Sequence, residues 1–139
     1  MPLCAIEPLI PHRAPFRFVD AAVHVDATGG DFVITLSPDD ERLTSGYLAP
    51  LLLVEALTQS AAAWHGTRQQ TEETGVLAQI ERARLYGAAR GGERVLLHVE
   101  RERVLGNLAR FVGSARRGDE TLADAVFTVR RGDAAMGTP

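Results

Sequence analysis

Glu55 is the one carboxylate in an apolar run from Pro50 to His65, PLLLVEALTQSAAAWH, and Gln59 follows it four residues later. At helical spacing the two side chains stack one turn apart on the same face, so the amide can orient the carboxyl by a hydrogen bond. A carboxyl held against packed apolar surface is a candidate for proton transfer, because burial disfavours its ionised form. A buried Glu satisfied by an arginine or by backbone amides, with no chemistry, fits the same residues.

The element that must hold Glu55 is a helix. Pro50 suits the first helical position, where its missing N–H removes no bond, and Leu, Ala and Gln carry the helix onward. Gly66 is expected to stop it. A helix apolar on nearly every face is normally wrapped by the rest of the molecule.

The wrapping is read from the flanks. Phe16 to Ala27 and Asp31 to Ser37 alternate as strands around Thr28-Gly29-Gly30, a hairpin signal. The polar stretch PDDERLTSGY leads into the helix, and TRQQTEETG leads out of it. Four further strands are expected at Val76 to Ala88, Glu93 to Val104, Asn107 to Arg117 and Glu120 to Arg131, punctuated by Gly-containing turns. In ERVLLHVERERV, Val95, Leu97 and Val99 share one face, as in a sheet packed on one side. The order β-β-α-β-β-β-β predicts an α+β domain, an antiparallel sheet curved around one long helix, over residues 1–132, with a frayed tail at 133–139.

Composition limits the function. With 139 residues, 45% of them hydrophobic, the chain can form one domain with a substantial core. The net charge is −3, all the basic residues are arginines, and they alternate with acids in HVERERV and SARRGDE, so no basic stripe is offered to nucleic acid. The single cysteine, Cys4, provides no internal disulfide and no thiolate metal site, which favours a cytoplasmic setting. Neither a signal peptide nor a membrane span is expected. No sequence pattern supports a bound metal, a cofactor, a phosphate cradle or a nucleophile elbow.

Four segments, in order, carry a resemblance: LIPHRAPFRFVDAAVHVD, LLLVEALTQSAA, LAQIERARLYGAARGGERV and ARFVGSARRGDETLADAVFTV. Together they resemble the hot-dog-fold 3-hydroxyacyl-acyl-carrier-protein dehydratases across most of the chain. That family opens roughly on Leu-Pro-His-Arg-x-Pro-Phe-x-x-Val-Asp, and residues 10–20 match this almost residue for residue. Its helix motif Val-Glu-Ala-x-x-Gln is reproduced at 54–59, so the resemblance places Glu55 on the family's catalytic carboxylate. It also implies a homodimer or an assembly of dimers, with an acyl-carrier-protein or CoA thioester as substrate.

One departure is specific. The family carries Gly-His-Phe-Pro-Gly ahead of the helix, whose His is the general base, and Pro-Gly at the helix start; this chain has neither. At the family's spacing Glu41 stands where the His belongs, and Ala49-Pro50 where Pro-Gly belongs. Of the four histidines, His12 falls in the opening motif, His24 and His98 on strands, and His65 at the helix end, so none replaces the base by position in the sequence.

Dehydrating a 3-hydroxyacyl thioester removes a proton beside the carbonyl and protonates the departing hydroxyl, so two proton-transfer groups must face adjacent carbons. Glu55 can supply one, and Glu41 is the second candidate carboxylate, although PDDER also reads as a solvated loop. The N–H groups at the helix start, near Leu51 and Leu52, are placed to stabilise the charged thioester oxygen, and Gln59 to orient Glu55. Three readings follow: a dehydratase-like enzyme, a thioesterase in which Glu55 activates water, and a non-catalytic acyl-binding partner subunit. Arg82, Arg84, Arg94, Arg101 and Arg103 could dock an acidic carrier protein, or be solvated paired arginines.

Overall fold

The computed structural model describes residues 4–69 and 75–131; the tail expected at 133–139 lies outside them. The elements in chain order are β1 (Cys4–Ala5), β2 (Ala21–Val25), β3 (Gly29–Thr35), β4 (Tyr47–Leu48), α1 (Pro50–Gln69), β5 (Gly75–Leu85), β6 (Ala89–Arg90), β7 (Arg94–Leu105), β8 (Leu108–Arg117) and β9 (Glu120–Arg131). Seven strands form one sheet in the order β1-β2-β3-β7-β8-β9-β5, every pair antiparallel, while β4 and β6 pair separately. The expected α+β architecture, an antiparallel sheet around one long helix, is what forms. No helix among the described residues is long and apolar enough to cross a membrane.

Alternation in the strands builds the inner face. Phe32 pairs with Leu97, Leu97 with Ala115 and Ala115 with Ala123, so one row of apolar side chains runs across β3, β7, β8 and β9, and the Phe111–Phe127 pair adds a second on the same face. Against that row α1 places Leu53, Leu57 and Trp64, all fully buried. Side chains of this size each contribute about 1.5–3 kcal/mol when removed from water. Phe111 stacks on Phe127 at 5.7 Å and meets the Trp64 ring edge-on at 5.9 Å, and the Trp64 indole N–H donates to the Asp26 carbonyl at 2.9 Å.

Three expectations are corrected. The helix does not end at Gly66 but runs to Gln69. Gly66 has a packing reason: a Cβ there would lie 2.7 Å from the Leu9 carbonyl oxygen, so the glycine lets α1 press against the N-terminal segment. Gly29 and Gly30 are strand residues rather than the hairpin turn, because a Cβ on Gly29 would collide with the Val99 carbonyl oxygen of neighbouring β7. The turn is held instead by Asp26, whose carboxylate accepts the N–H groups of Thr28 and Gly29, and these bonds hold its pKa below the ordinary carboxylate value. Last, Phe16 to Asp20 is not strand. Those residues leave the sheet and cross α1, and this crossing builds one wall of the site.

Candidate active site

Glu55 lies one turn into α1, half-buried. Its carboxylate accepts the Thr58 hydroxyl at 3.3 Å and the Gln59 side-chain amide at 3.2 Å, so the i+4 pairing expected from the sequence is present. Gln59 is itself buried and does more than orient Glu55. Its oxygen accepts the Phe18 N–H at 2.7 Å and its nitrogen donates to the Phe16 carbonyl at 2.9 Å. Because a backbone N–H can only donate, the Phe18 bond fixes which end of the amide is oxygen.

Two depressions share Glu55, His12, Thr58 and Leu77 in their walls. The smaller, about 110 Å³, is lined by His12, Glu55, Thr58, Gln59, His65 and Leu77 among others. The larger is an open groove of about 690 Å³ whose walls include Phe16, Phe18, Leu51, Leu52 and Ile80, with Glu41, Arg42, His12 and Glu55 as its charged and titratable groups. The structure therefore brings Glu55, Glu41, Leu51 and Leu52 around one groove, with Gln59 in the adjoining cavity.

Leu52 differs from expectation, while the exposed Glu41 fits the reading of PDDER as a solvated loop. The Leu52 N–H donates to the Ala49 carbonyl at 2.9 Å, so it is not free for a substrate oxygen. Pro50 has no N–H, which leaves Leu51 as the first-turn residue whose amide helix geometry keeps unpaired. Glu41 is exposed at the groove rim, while its neighbour Arg42 is the anchored residue. Arg42 reaches both Asp20 oxygens at 3.1 Å, Asp40 at 2.9 and 3.0 Å, and the Arg17 carbonyl at 3.1 Å. Burial works against its charge, but hydrogen bonds to Asp40 and Asp20 outweigh burial and hold the guanidinium more firmly protonated than usual. In return the Arg42 hydrogen bond holds the Asp40 carboxyl at about 2.

Sequence reasoning missed His12, Thr58 and Arg42 as parts of this site. His12 was legible as part of the opening motif, but its place beside Glu55 was not, since that depends on how Gln59 ties the crossing segment to the helix. Arg42 could have been suspected from the nearby acids Asp39 and Asp40. The other histidines are placed differently. His98 Nδ1 lies 2.8 Å from Asp31 and His24 Nε2 3.5 Å from Asp26, each partly exposed, and His65 packs beside Trp64 and Phe111. Among the described residues no group of three or more His, Cys, Asp or Glu could hold a metal ion.

With this geometry in place, similarity to known proteins identifies the family. The sequence model of the ApeP-like family, described as ApeP dehydratase, matches residues 4–137. The chain is 30% identical over 128 residues to the 3-hydroxyacyl-[acyl-carrier-protein] dehydratase FabZ of Gluconobacter oxydans, covering 86% of this chain and 76% of that one. It is equally 30% identical over 135 residues to the FabZ of Rhodospirillum rubrum, covering 86% and 80%. Among solved structures, the dehydratase heterocomplex ApeI:P from Xenorhabdus doucetiae superimposes with a TM-score of 0.83 at 16% identity, covering 95% of this chain and 93% of that one. The uncharacterized protein PH1136 from Pyrococcus horikoshii gives 0.70 at 12% identity, covering 93% and 95%. These two share the hot-dog fold. A half-buried helix carboxylate at the wall of an apolar groove, on this fold and with this sequence match, places the chain in the ApeP-like family of dehydratases.

Proposed function

We propose that the chain is a 3-hydroxyacyl-thioester dehydratase of fatty-acid or polyketide-type metabolism, acting in the cytoplasm on acyl chains borne by acyl carrier protein or CoA. The observation that carries this reading is Glu55 in the walls of both an apolar groove and a smaller cavity, one turn from the start of a helix. The groove's Phe16, Phe18, Leu51 and Ile80 suit an acyl chain, and relatives described as FabZ support the 3-hydroxyacyl thioester. In this reading Glu55 protonates the departing hydroxyl, Gln59 orients it, and the Leu51 N–H faces the thioester oxygen. Glu41 remains the second candidate carboxylate, at the rim.

The working unit in this proposal is a homodimer or an assembly of dimers, with β5 as the interface. Among the described residues β5 is an edge strand paired with β9 alone, exposed along its whole length, and it carries Val76, Leu77, Ile80 and Leu85. A long apolar edge of this kind needs a cover, which a two-fold partner supplies. Arg84, Arg94 and Arg103 have no ion pair among the described residues and are cations available to an acidic carrier; Arg82 acts on the neighbouring Glu81, and Arg101 lies over Trp64. A partner-subunit role is the second reading, favoured by one observation: Glu41 stands at the position where the resembled dehydratases carry their histidine.

The test is a parallel assay with 3-hydroxyacyl, enoyl and saturated thioesters. Dehydration of the first and hydration of the second are expected, with the saturated thioester left intact. Hydrolysis of the saturated thioester alone would establish a thioesterase. Binding of a carrier protein without any turnover would establish the partner subunit.

A further inference from the structure

We infer that His12 is the second proton-transfer group of this site, the base that works opposite Glu55; the inference rests on the dehydratase reading above. His12 and Glu55 line both the small cavity and the groove, as does Thr58, so the imidazole and the carboxylate border the same space. The His12 Nδ1 is withdrawn from solvent and has no hydrogen-bond partner among the described residues. Buried polar atoms are nearly always paired, and an orphaned one calls for an explanation, of which a catalytic role is one; unlike Arg17, whose Nε is also unpaired, His12 shares both depressions with Glu55. The other three histidines have partners: His24 and His98 pair with aspartates, and His65 lies between aromatic rings.

The chain holds His12 in place from both sides. On one side, Arg13 folds back to donate to the Ile10 and His12 carbonyls at 2.6 and 2.9 Å, and Ile10 is fully buried in the core. On the other, Gln59 clasps Phe16 and Phe18, so the segment that carries His12 is fastened to the helix that carries Glu55. The other charged or titratable groups around the two depressions are Glu41 and Arg42 after β3, His65 on α1 and Arg131 at the end of β9. Arg42 is committed to Asp20 and Asp40, Glu41 is exposed at the rim, and His65 borders the smaller cavity but not the groove, whereas the His12 imidazole borders both together with Glu55.

The step balances without a further reactant. Neutral His12 takes the proton from the carbon beside the thioester carbonyl, and that electron pair becomes the carbon–carbon double bond. The bond from the next carbon to its hydroxyl breaks, and the Glu55 carboxyl gives a proton to the departing oxygen to form water. Proton return from the imidazolium to the Glu55 carboxylate, directly or through water, resets the pair.

The test uses the full-length protein and a 3-hydroxyacyl thioester. His12→Gln is expected to lower kcat by about a hundredfold with KM within a few-fold, melting temperature and mass in solution unchanged. His12→Ala is expected to regain at least about a tenth of the lost rate when imidazole is added, which a purely structural His12 would not do. His24→Gln serves as the control with unchanged turnover. In the wild type, an enoyl thioester should protect His12, but not His24 or His98, from carbethoxylation read by peptide mass, so the inference stays testable if the variants fail to fold. Full turnover in His12→Gln, or no protection of His12 while the wild type is active, overturns the role of His12 and leaves the dehydratase reading standing. A wild type inert towards all three thioester classes overturns both.

Discussion

The side-chain oxygen of Gln59 accepts the Phe18 N–H at 2.7 Å, joining positions 41 residues apart in the chain. The same amide donates to Phe16 and to Glu55, so it uses its oxygen once and its nitrogen twice. Gln59→Leu keeps the approximate volume and strands the buried Phe18 N–H. We expect a loss of about 1–3 kcal/mol of stability, measured by urea denaturation, and a loosened Phe16 wall of the groove. A variant as stable as the wild type would show that water replaces the amide.

Glu55→Gln keeps the shape of the group but cannot exchange a proton at neutral pH. It should leave melting and assembly intact while removing on the order of a hundredfold of thioester turnover. Glu55→Ala tests the structural alternative, because it leaves the Thr58 and Gln59 donors partly unpaired. If Glu55 only supports packing, Glu55→Ala costs about 1–3 kcal/mol and Glu55→Gln retains full turnover.

The Arg42 cluster gives a pH dependence with a definite sign. Asp40 sits at about 2 in the fold against an ordinary value of 3.8. Its contribution to stability is complete above about pH 4 and is lost as pH falls towards 2, because the folded state then has to accept a proton it resists. Solvent screening limits the effect to on the order of 1 kcal/mol. In Arg42→Gln this acid limb should flatten, as seen in urea midpoints taken across that window.

Gly66→Ala should reverse the usual helix preference. In a helix interior alanine is ordinarily better than glycine by about 1 kcal/mol. Here the added Cβ meets the Leu9 carbonyl oxygen at 2.7 Å, so α1 and the N-terminal segment must separate. We expect a net loss of about 1–3 kcal/mol by thermal melting. A gain in melting temperature would mean that the contact relaxes freely.

Leu85→Asp addresses the proposed β5 interface at a side chain that does not line the groove. Placing a charge on an apolar contact should weaken self-association by about tenfold or more, read by sedimentation at micromolar concentration. Dimers of undiminished affinity would place the interface elsewhere.

How far the sequence could be read follows the range of the interactions involved. The Glu55–Gln59 pair was legible because helical spacing is local, and β7, β8 and β9 because each long strand alternates between punctuating turns. The two-residue strands β1, β4 and β6 are too short for any period to register. Phe16 to Asp20 looked like strand from composition, yet Gln59 and the sheet compete for its backbone; Phe18 bonds to the helix while Asp20 returns to Val33. The place of His12 beside Glu55 depends on that same long-range tie, which no local pattern encodes. Gly66 and Gly29 were misread for a related reason: each is required by a backbone distant in sequence, and a glycine signals a turn and a close approach alike.

The strand order also governs when the sheet can close. β5, made directly after the helix, has β9 as its sheet neighbour, and β9 is the last strand among the described residues. While β7 and β8 are being synthesised, β5 has nothing to pair with, and Leu77 and Ile80 beside the groove stay open to other chains. Shutting a loop of this length is entropically slow, so the late arrival of residues 120–131 becomes the step at which folding and aggregation compete. A chain cut before Glu120 would lose both ladders of β9, to β8 and to β5, and with them the Val129 side of the cavity that Leu77 also lines.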